Sequence, residues 1–283
     1  MSSPAAATLA RSASRLPHPG LRAYVESYLG YRYDVDEPGI HHGIPGTTLT
    51  VVLAIDRPID VGWLGDEPSR GRYWTLASGL SVSPAAIYQD GCQHGITFGL
   101  TPFGARALLG MPAAPLSGQL VSLDQVVGLR AAALHDAVAS APGWPARFAA
   151  LDRGLLALVA AQDRRRLVAD RALTRAWQRL HAAGGRLAIA GLAREVGWSR
   201  RHLSQRFADE FGIGPKQTAR LIRFGIARGL VVAGNRPLAD IAHDCGFADQ
   251  AHLTREWREL SGLPPIAWLE VERPFLQDAV EHT

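Results

Sequence analysis

At 283 residues, 47% of them hydrophobic and with a formal net charge of +4, the chain has the length of two globular domains. Its two cysteines, Cys92 and Cys245, exclude a disulfide framework, and no run approaches the ~20 apolar residues of a membrane-spanning helix. Residues 1–17, rich in Ala, Ser and Arg, lack the continuous apolar stretch of a secretory signal; they read as a disordered tail, and the chain reads as cytoplasmic.

Residues 18–162 read as a β-rich domain. Segments 24–35, 47–55, 59–63, 73–80, 86–88 and 95–100 carry strand-like apolar and aromatic residues between Gly/Pro turns, which predicts a barrel or sandwich. Asp90-Gly91 reads as one of those turns. A short helix opens at Pro102 and ends on Gly110. Two amphipathic helices follow over 124–139 (Val126, Val127, Leu129, Leu134, Val138) and 145–161 (Phe148, Leu151, Leu155, Leu156, Val159). They are the expected interface if the domain dimerises.

The predicted strands hold Trp63, Tyr73, Trp74 and Tyr88, the candidate lining of a ligand pocket, although aromatics on strands fill a core more often. His41 and His42 are adjacent, so on a strand they point to opposite faces and cannot share one ion. Cys92 and His94 share a face but have no third ligand at a recognisable spacing. No metal, cofactor, nucleophile elbow or phosphate loop is expected, and an enzyme fused to the chain's second domain is the poorest of three readings.

A charged break at Gln162-Asp163-Arg164-Arg165-Arg166 marks the boundary of a second domain over 163–283. There one pattern occurs twice. Leu192-Ala193-Arg194-Glu195-Val196-Gly197-Trp198 returns as Ile241-Ala242-His243-Asp244-Cys245-Gly246-Phe247, and Leu203, Phe207, Gly212 and Pro215 return as Leu253, Trp257, Gly262 and Pro265. Each copy reads as a helix-turn-helix unit, 189–211 and 238–261: a short helix with a buried stripe, a glycine at the turn, an N-cap (Ser199, Asp249), and a second helix with an outward polar face. Cys245 falls on a buried stripe. Between the copies, Pro215 opens a helix expected over 215–233, a rod that can hold two units about one DNA turn, roughly 34 Å, apart.

Charge is uneven. Residues 171–237 carry 13 Arg and Lys against 3 Asp and Glu, whereas 238–283 carry 3 against 9. Phosphate attraction therefore belongs to the first unit and the connecting helix, and the expected phosphate contacts are Arg200, Arg206, Lys216, Arg220 and Arg223, with Thr254 in the second unit. Arg and Gln on the outer face near the start of each second helix are the side chains that bond guanine and adenine edges in the major groove.

Leu238-Ala239-Asp240-Ile241-Ala242, Gly246-Phe247, Ala251-His252-Leu253-Thr254-Arg255 and Gly262-Leu263-Pro264-Pro265, at these intervals, resemble the signature of AraC/XylS-type transcriptional regulators, over about residues 171–271. The resemblance implies seven helices forming two helix-turn-helix units joined by a long helix. Carried over position by position, it implies base contacts from Arg201, Ser204 and Gln205, and from Gln250, Ala251 and Arg255. Ala251 stands where Ser is common, Trp257 where Phe is usual and Trp268 where Tyr is typical. The run from Gly95 through Phe98, Pro102 and Phe103 to Gly110 resembles the N-terminal module of actinobacterial regulators of this type, which implies a β-rich, often cupin-like domain that senses a ligand or dimerises. The expected fold is thus α+β, a β-rich domain followed by an all-α double unit. Expected partners are double-stranded DNA at the nucleoid, a small-molecule effector, a second copy of the chain and, for an activator, RNA polymerase. The alternative is a constitutive dimer without ligand.

Overall fold

The computed structural model describes residues 7–162 and 170–280. Two long strands organise its first part: β2 (Val25–Gly43) and β7 (Ala85–Leu100) pair antiparallel along most of their length. β1 (Ala7–Arg15) adds to the other edge of β2. On its second edge β7 pairs with β3 (Leu49–Ala54) through 95–100 and with β4 (Ile59–Trp63) through 85–88. β6 (Thr75–Ser78) and then β8 (Leu120–Ser122) extend the β3 branch, while β5 (Asp66–Tyr73) extends the β4 branch. β7 is therefore the shared spine of one eight-stranded sheet with two branches.

The branches part where β7 passes Asp90-Gly91. Gly91 has φ +64°, and opposite it β2 carries extra residues between Val35 and Gly39. Such a bulge bends a strand and sharpens its twist. The turn expected at Asp90-Gly91 is thereby corrected: the positive φ bends one continuous strand instead of ending it. Two further differences have local causes. Residues 7–15, expected in a disordered tail, form β1, whose last residue Arg15 pairs with Asp152 and donates to the Phe148 carbonyl at 3.0 Å. β5 has no apolar alternation to read; it is held by Asp60 of β4, which accepts from Arg70 and Arg72 across the strand pair.

Helices close the domain. α1 (Pro102–Gly104) is capped by Thr101, whose hydroxyl accepts from the Gly104 amide at 3.0 Å, and it runs on as a π turn over 105–109 that stops at Gly110, φ +74°. α2 (Asp124–Val127), α3 (Arg130–Ala139) and α4 (Gly143–Ala160) follow. The single helix expected over 124–139 is broken by Gly128, φ +64°, and this puts Leu129 92% into solvent, not on the apolar stripe. α4 buries Phe148, Leu151, Leu155 and Leu158 against the sheet, with the Phe148 ring stacked on Tyr28 at 5.8 Å.

Seven helices complete the described residues: α5 (Arg171–Ala182), α6 (Ile189–Glu195), α7 (Arg200–Phe211), α8 (Pro215–Ala233), α9 (Leu238–Asp244), α10 (Gln250–Ser261) and α11 (Pro265–Val280). Their buried side chains join those of the sheet and of α3 and α4 in one continuous apolar cluster. Phe103 is the seam, meeting Trp177 of α5 and Phe211 of α7 edge-on at 6.2 and 5.7 Å.

Candidate nucleic-acid interface

The two helical units are built alike, for the same local reasons. In the first, Leu192 and Ala193 are buried, Gly197 turns the chain at φ +75°, and the Trp198 amide returns to the Ala193 carbonyl at 2.8 Å. Ser199 then caps α7, accepting from the His202 amide at 3.1 Å, and Leu203 and Phe207 turn inward. In the second, Ile241, Ala242 and Cys245 are buried, Gly246 turns at φ +76°, and the Phe247 amide reaches the Ala242 carbonyl at 2.9 Å. Asp249 caps α10 on the His252 amide at 2.6 Å, and Leu253 and Trp257 turn inward. α7 and α10 both end on a left-handed glycine, Gly212 and Gly262, each at φ +79°.

This geometry leaves Arg200, Arg201, Ser204 and Gln205 exposed on α7, and Gln250, Ala251 and Arg255 exposed on α10. Arg200, Arg201 and Ser204 line one shallow groove with Lys216, which sits at the start of α8. Gln205 donates to Asp209 at 2.8 Å, and the Thr254 hydroxyl bonds back to the Gln250 carbonyl at 2.9 Å. Arg206 is half-buried and pairs with Asp170 at 3.2 Å.

Two arginines expected at phosphates are differently employed. Arg220 on α8 is bonded to Glu256 and Glu259 of α10. Arg223, also on α8, donates to the Gly185 carbonyl at 3.0 Å and lies over the Phe247 ring at 5.6 Å. Both guanidinium groups staple the connecting helix to its neighbours. Sequence reasoning passed over this, because the cue, two glutamates one helical turn apart on α10, becomes meaningful only once α8 is known to face them.

The β-domain grips both units at equivalent points, also unforeseen. Arg106 forms a two-bond fork with buried Glu210 near the end of α7, at 2.6 and 2.5 Å, and this partner raises the pKa of Arg106. One residue beyond α7, Ser117 donates to the Gly212 carbonyl at 3.3 Å. At the end of α10, His42 Nδ1 donates to the Ser261 carbonyl at 2.8 Å, while His41 Nδ1 lies 3.0 Å from Glu272 of α11. Packing is tight at both caps: a Cβ on Gly212 would lie 2.2 Å from that of Ser117, and a Cβ on Gly262 would lie 2.6 Å from a Leu64 methyl.

The four candidate pocket aromatics are not brought together. Trp63 donates to the Gly118 carbonyl at 3.1 Å and Tyr73 to that of Leu120 at 3.3 Å, so both tie strands to the β8 connection. Trp74 is half in solvent against His135, and Tyr88 donates to Glu67 at 2.8 Å beneath the Arg70 guanidinium. Of the weak pair Cys92 and His94, the histidine is engaged: its Nδ1 donates to Asp56 at 2.8 Å, its Nε2 accepts from Arg147 at 2.7 Å, and burial lowers its pKa.

Comparison with known proteins places the helical part. Residues 192–270 match the family described as "Helix-turn-helix domain". The uncharacterised helix-turn-helix-type transcriptional regulator YbfI of Bacillus subtilis is 39% identical over 62 residues, 22% of each chain. A putative AraC-like transcription regulator of Streptomyces lividans is 32% identical over 77 residues, 27% of this chain and 25% of that one. The matches thus span about a quarter of these relatives' length. Over the whole molecule the fold is similar to ToxT of Vibrio cholerae, with a TM-score of 0.52 at 12% identity, covering 86% of this chain and 97% of that one. The form of ToxT with an unsaturated fatty acid bound gives the same TM-score at 11% identity, over 91% and 97% of the two chains. This chain therefore carries a helix-turn-helix domain, similar in part to that of an AraC-like regulator, behind a β-rich domain, and its overall fold is similar to that of ToxT.

Proposed function

We propose that the protein is a sequence-specific transcription regulator of the AraC type that reads DNA through α7 and α10 together. The observation that carries this is the doubled geometry: two capped helices, each with exposed polar residues at its start, joined by α8 of 19 residues, about 28 Å long at ~1.5 Å per residue. That rod, stapled to the second unit by Arg220, suits two helices entering successive major grooves about 34 Å apart. Arg201 and Arg255 are the leading base readers, supported by Ser204, Gln205 and Gln250, with Ala251 offering only a methyl contact to thymine. Arg200 and Lys216 supply phosphate contacts, as do Arg206 and Thr254, whereas Arg220 and Arg223 act mainly by fixing the helices.

We further propose that the β-domain is the regulatory part. It holds the ends of both reading helices, so any change in its shape alters their relative placement, and a ligand that binds the two arrangements unequally shifts their balance. ToxT, solved with an unsaturated fatty acid bound, provides a precedent for a ligand within this fold. The competing reading is a constitutive dimer with α3 and α4 as its interface.

Selection of binding sites from a random DNA library by the full-length protein tests the proposal. A motif with two parts in successive major grooves is the expected result. Salt-sensitive binding with no enriched motif would contradict the claim of sequence reading.

A further inference from the structure

On the flank of the sheet, β2, β4, β5 and β7 enclose a half-open cavity of about 490 Å³, within the ~300–1,000 Å³ of small-molecule sites. The apolar cavity between β3, β4 and β6, at about 110 Å³, falls below that range. We propose that the larger cavity is the effector site and takes a small organic acid with an apolar body; this rests on the regulator reading given above.

Charge carries the first part of the argument. The wall holds Arg57, Arg70 and Arg72 against Asp60 and Asp90. Asp60 is shared: Arg70 reaches it at 2.8 and 3.0 Å and Arg72 at 3.1 Å. Arg57 donates to the neutral Asp90 carbonyl and has no carboxylate partner among the described residues. A ligand carboxylate there would meet guanidinium donors whose forked geometry suits it. The floor adds two buried carboxamides, Gln89 and Gln93, which bring hydrogen-bonding groups to the cavity. Pro38, Ile40 and Pro58 supply an apolar side, and the Tyr88 ring, covered by Arg70 at 3.6 Å, supplies a flat one.

Connection carries the second part. Gln89 donates to the Tyr33 hydroxyl at 2.6 Å, and that phenol lies in the field of Glu272 on α11. Ile40 lines the cavity, and the next residue, His41, pairs with the same Glu272. Glu272 in turn lies within electrostatic reach of Arg228 on α8. An occupant touching Gln89 and Ile40 is thus one residue from Tyr33 and from His41, the two β2 groups that interact with Glu272, while β1 packs on α11 separately. This is the kind of differential contact that coupling between two sites requires.

The test is calorimetry and thermal melting of the full-length protein with phenylacetate, glutarate and inorganic phosphate, using phenylacetamide as the neutral control. At least one carboxylate should bind saturably and raise the Tm, and phenylacetamide should not. Arg57→Ala alters an exposed side chain without a carboxylate partner among the described residues, so unliganded melting should be unchanged while acid binding weakens about tenfold. Arg72→Ala also removes a bond to Asp60, so its own unliganded melt is the baseline against which the same loss of acid binding is read. Arg201→Ala should leave acid binding intact. Coupling is read as operator affinity, which the bound acid should change about fivefold or more; Glu272→Gln should keep acid binding and reduce that response. Binding of neither carboxylate, binding of phosphate alone, or acid binding indifferent to Arg57 and Arg72 would each overturn the proposal. Selection of an operator by protein that binds no acid would leave the regulator reading standing without this site. Acid binding at the two arginines with no selected operator would keep the site and remove the regulator reading.

Discussion

The two helix-turn-helix units share a backbone and differ in what surrounds it. Around the first, Arg200, Arg201 and Lys216 are exposed on one groove, and the net charge of the surrounding sequence is strongly positive. Around the second, acidic residues predominate, and two of them, Glu256 and Glu259, are consumed by Arg220. On the proposed reading, the first copy supplies phosphate attraction, whereas the second is fixed in place by the Arg220 pairs. Repetition of a motif need not mean repetition of its energetic role: phosphate attraction resides where cations are unpaired, while an ion pair inside the protein sets geometry.

The largest effects should come from the left-handed caps. Gly212→Ala puts a side chain at φ +79° and against Ser117 and the Ala114 backbone, for an expected loss of about 2–4 kcal/mol from backbone strain and overpacking. Gly262→Ala carries the same strain but meets chiefly the mobile end of Leu64 and the His42 ring, so about 1–3 kcal/mol is expected. Urea unfolding of both variants decides it; equal losses would mean that the β-domain does not discriminate between the two ends.

Base reading comes next. Arg201→Ala should cost about 1–3 kcal/mol at the selected site and relax preference at one base pair, with Arg255→Ala towards the lower end of that range. Anisotropy titrations on selected and scrambled DNA separate the cases, and equal weakening on both would reassign Arg201 to a phosphate.

Removing the staple should act on geometry more than on affinity. Arg220→Ala leaves random-DNA binding nearly unchanged but lets sites with altered spacing between the two half-motifs compete, which repeated library selection would show. Lys216→Ala is the smallest: a slightly weaker affinity and a salt-dependence slope reduced by about one. An unchanged slope would place Lys216 away from the phosphates.

What could be read from the sequence follows the same division between local and distant causes. The double helical domain was legible because its signals are local: Gly197 and Gly246 at the turns, Ser199 and Asp249 at the caps, Pro215 at the start of α8. The β-rich character of the first domain was legible from its apolar segments. Its connections were not. Strand β7 continues through Asp90-Gly91 because β2 pairs along both sides of the bend, and β5 exists because Asp60 holds two arginines across the strand. The Arg106–Glu210 fork joins side chains 104 residues apart, and nothing in either neighbourhood announces it. Arg220 and Arg223 show the reverse case, in which cations on an expected DNA face have protein partners that only the fold supplies.

The central claim is that α7 and α10 act as one rigid reader. Its most direct test is the affinity of the full-length protein for its selected site with zero to ten base pairs inserted between the two half-motifs. Rigid coupling predicts that insertion of about five base pairs, half a helical turn, removes the contribution of one half-motif, and that none of the longer spacings restores full affinity. Affinity that stays constant across the series would contradict it, because the two helices would then be reading DNA independently.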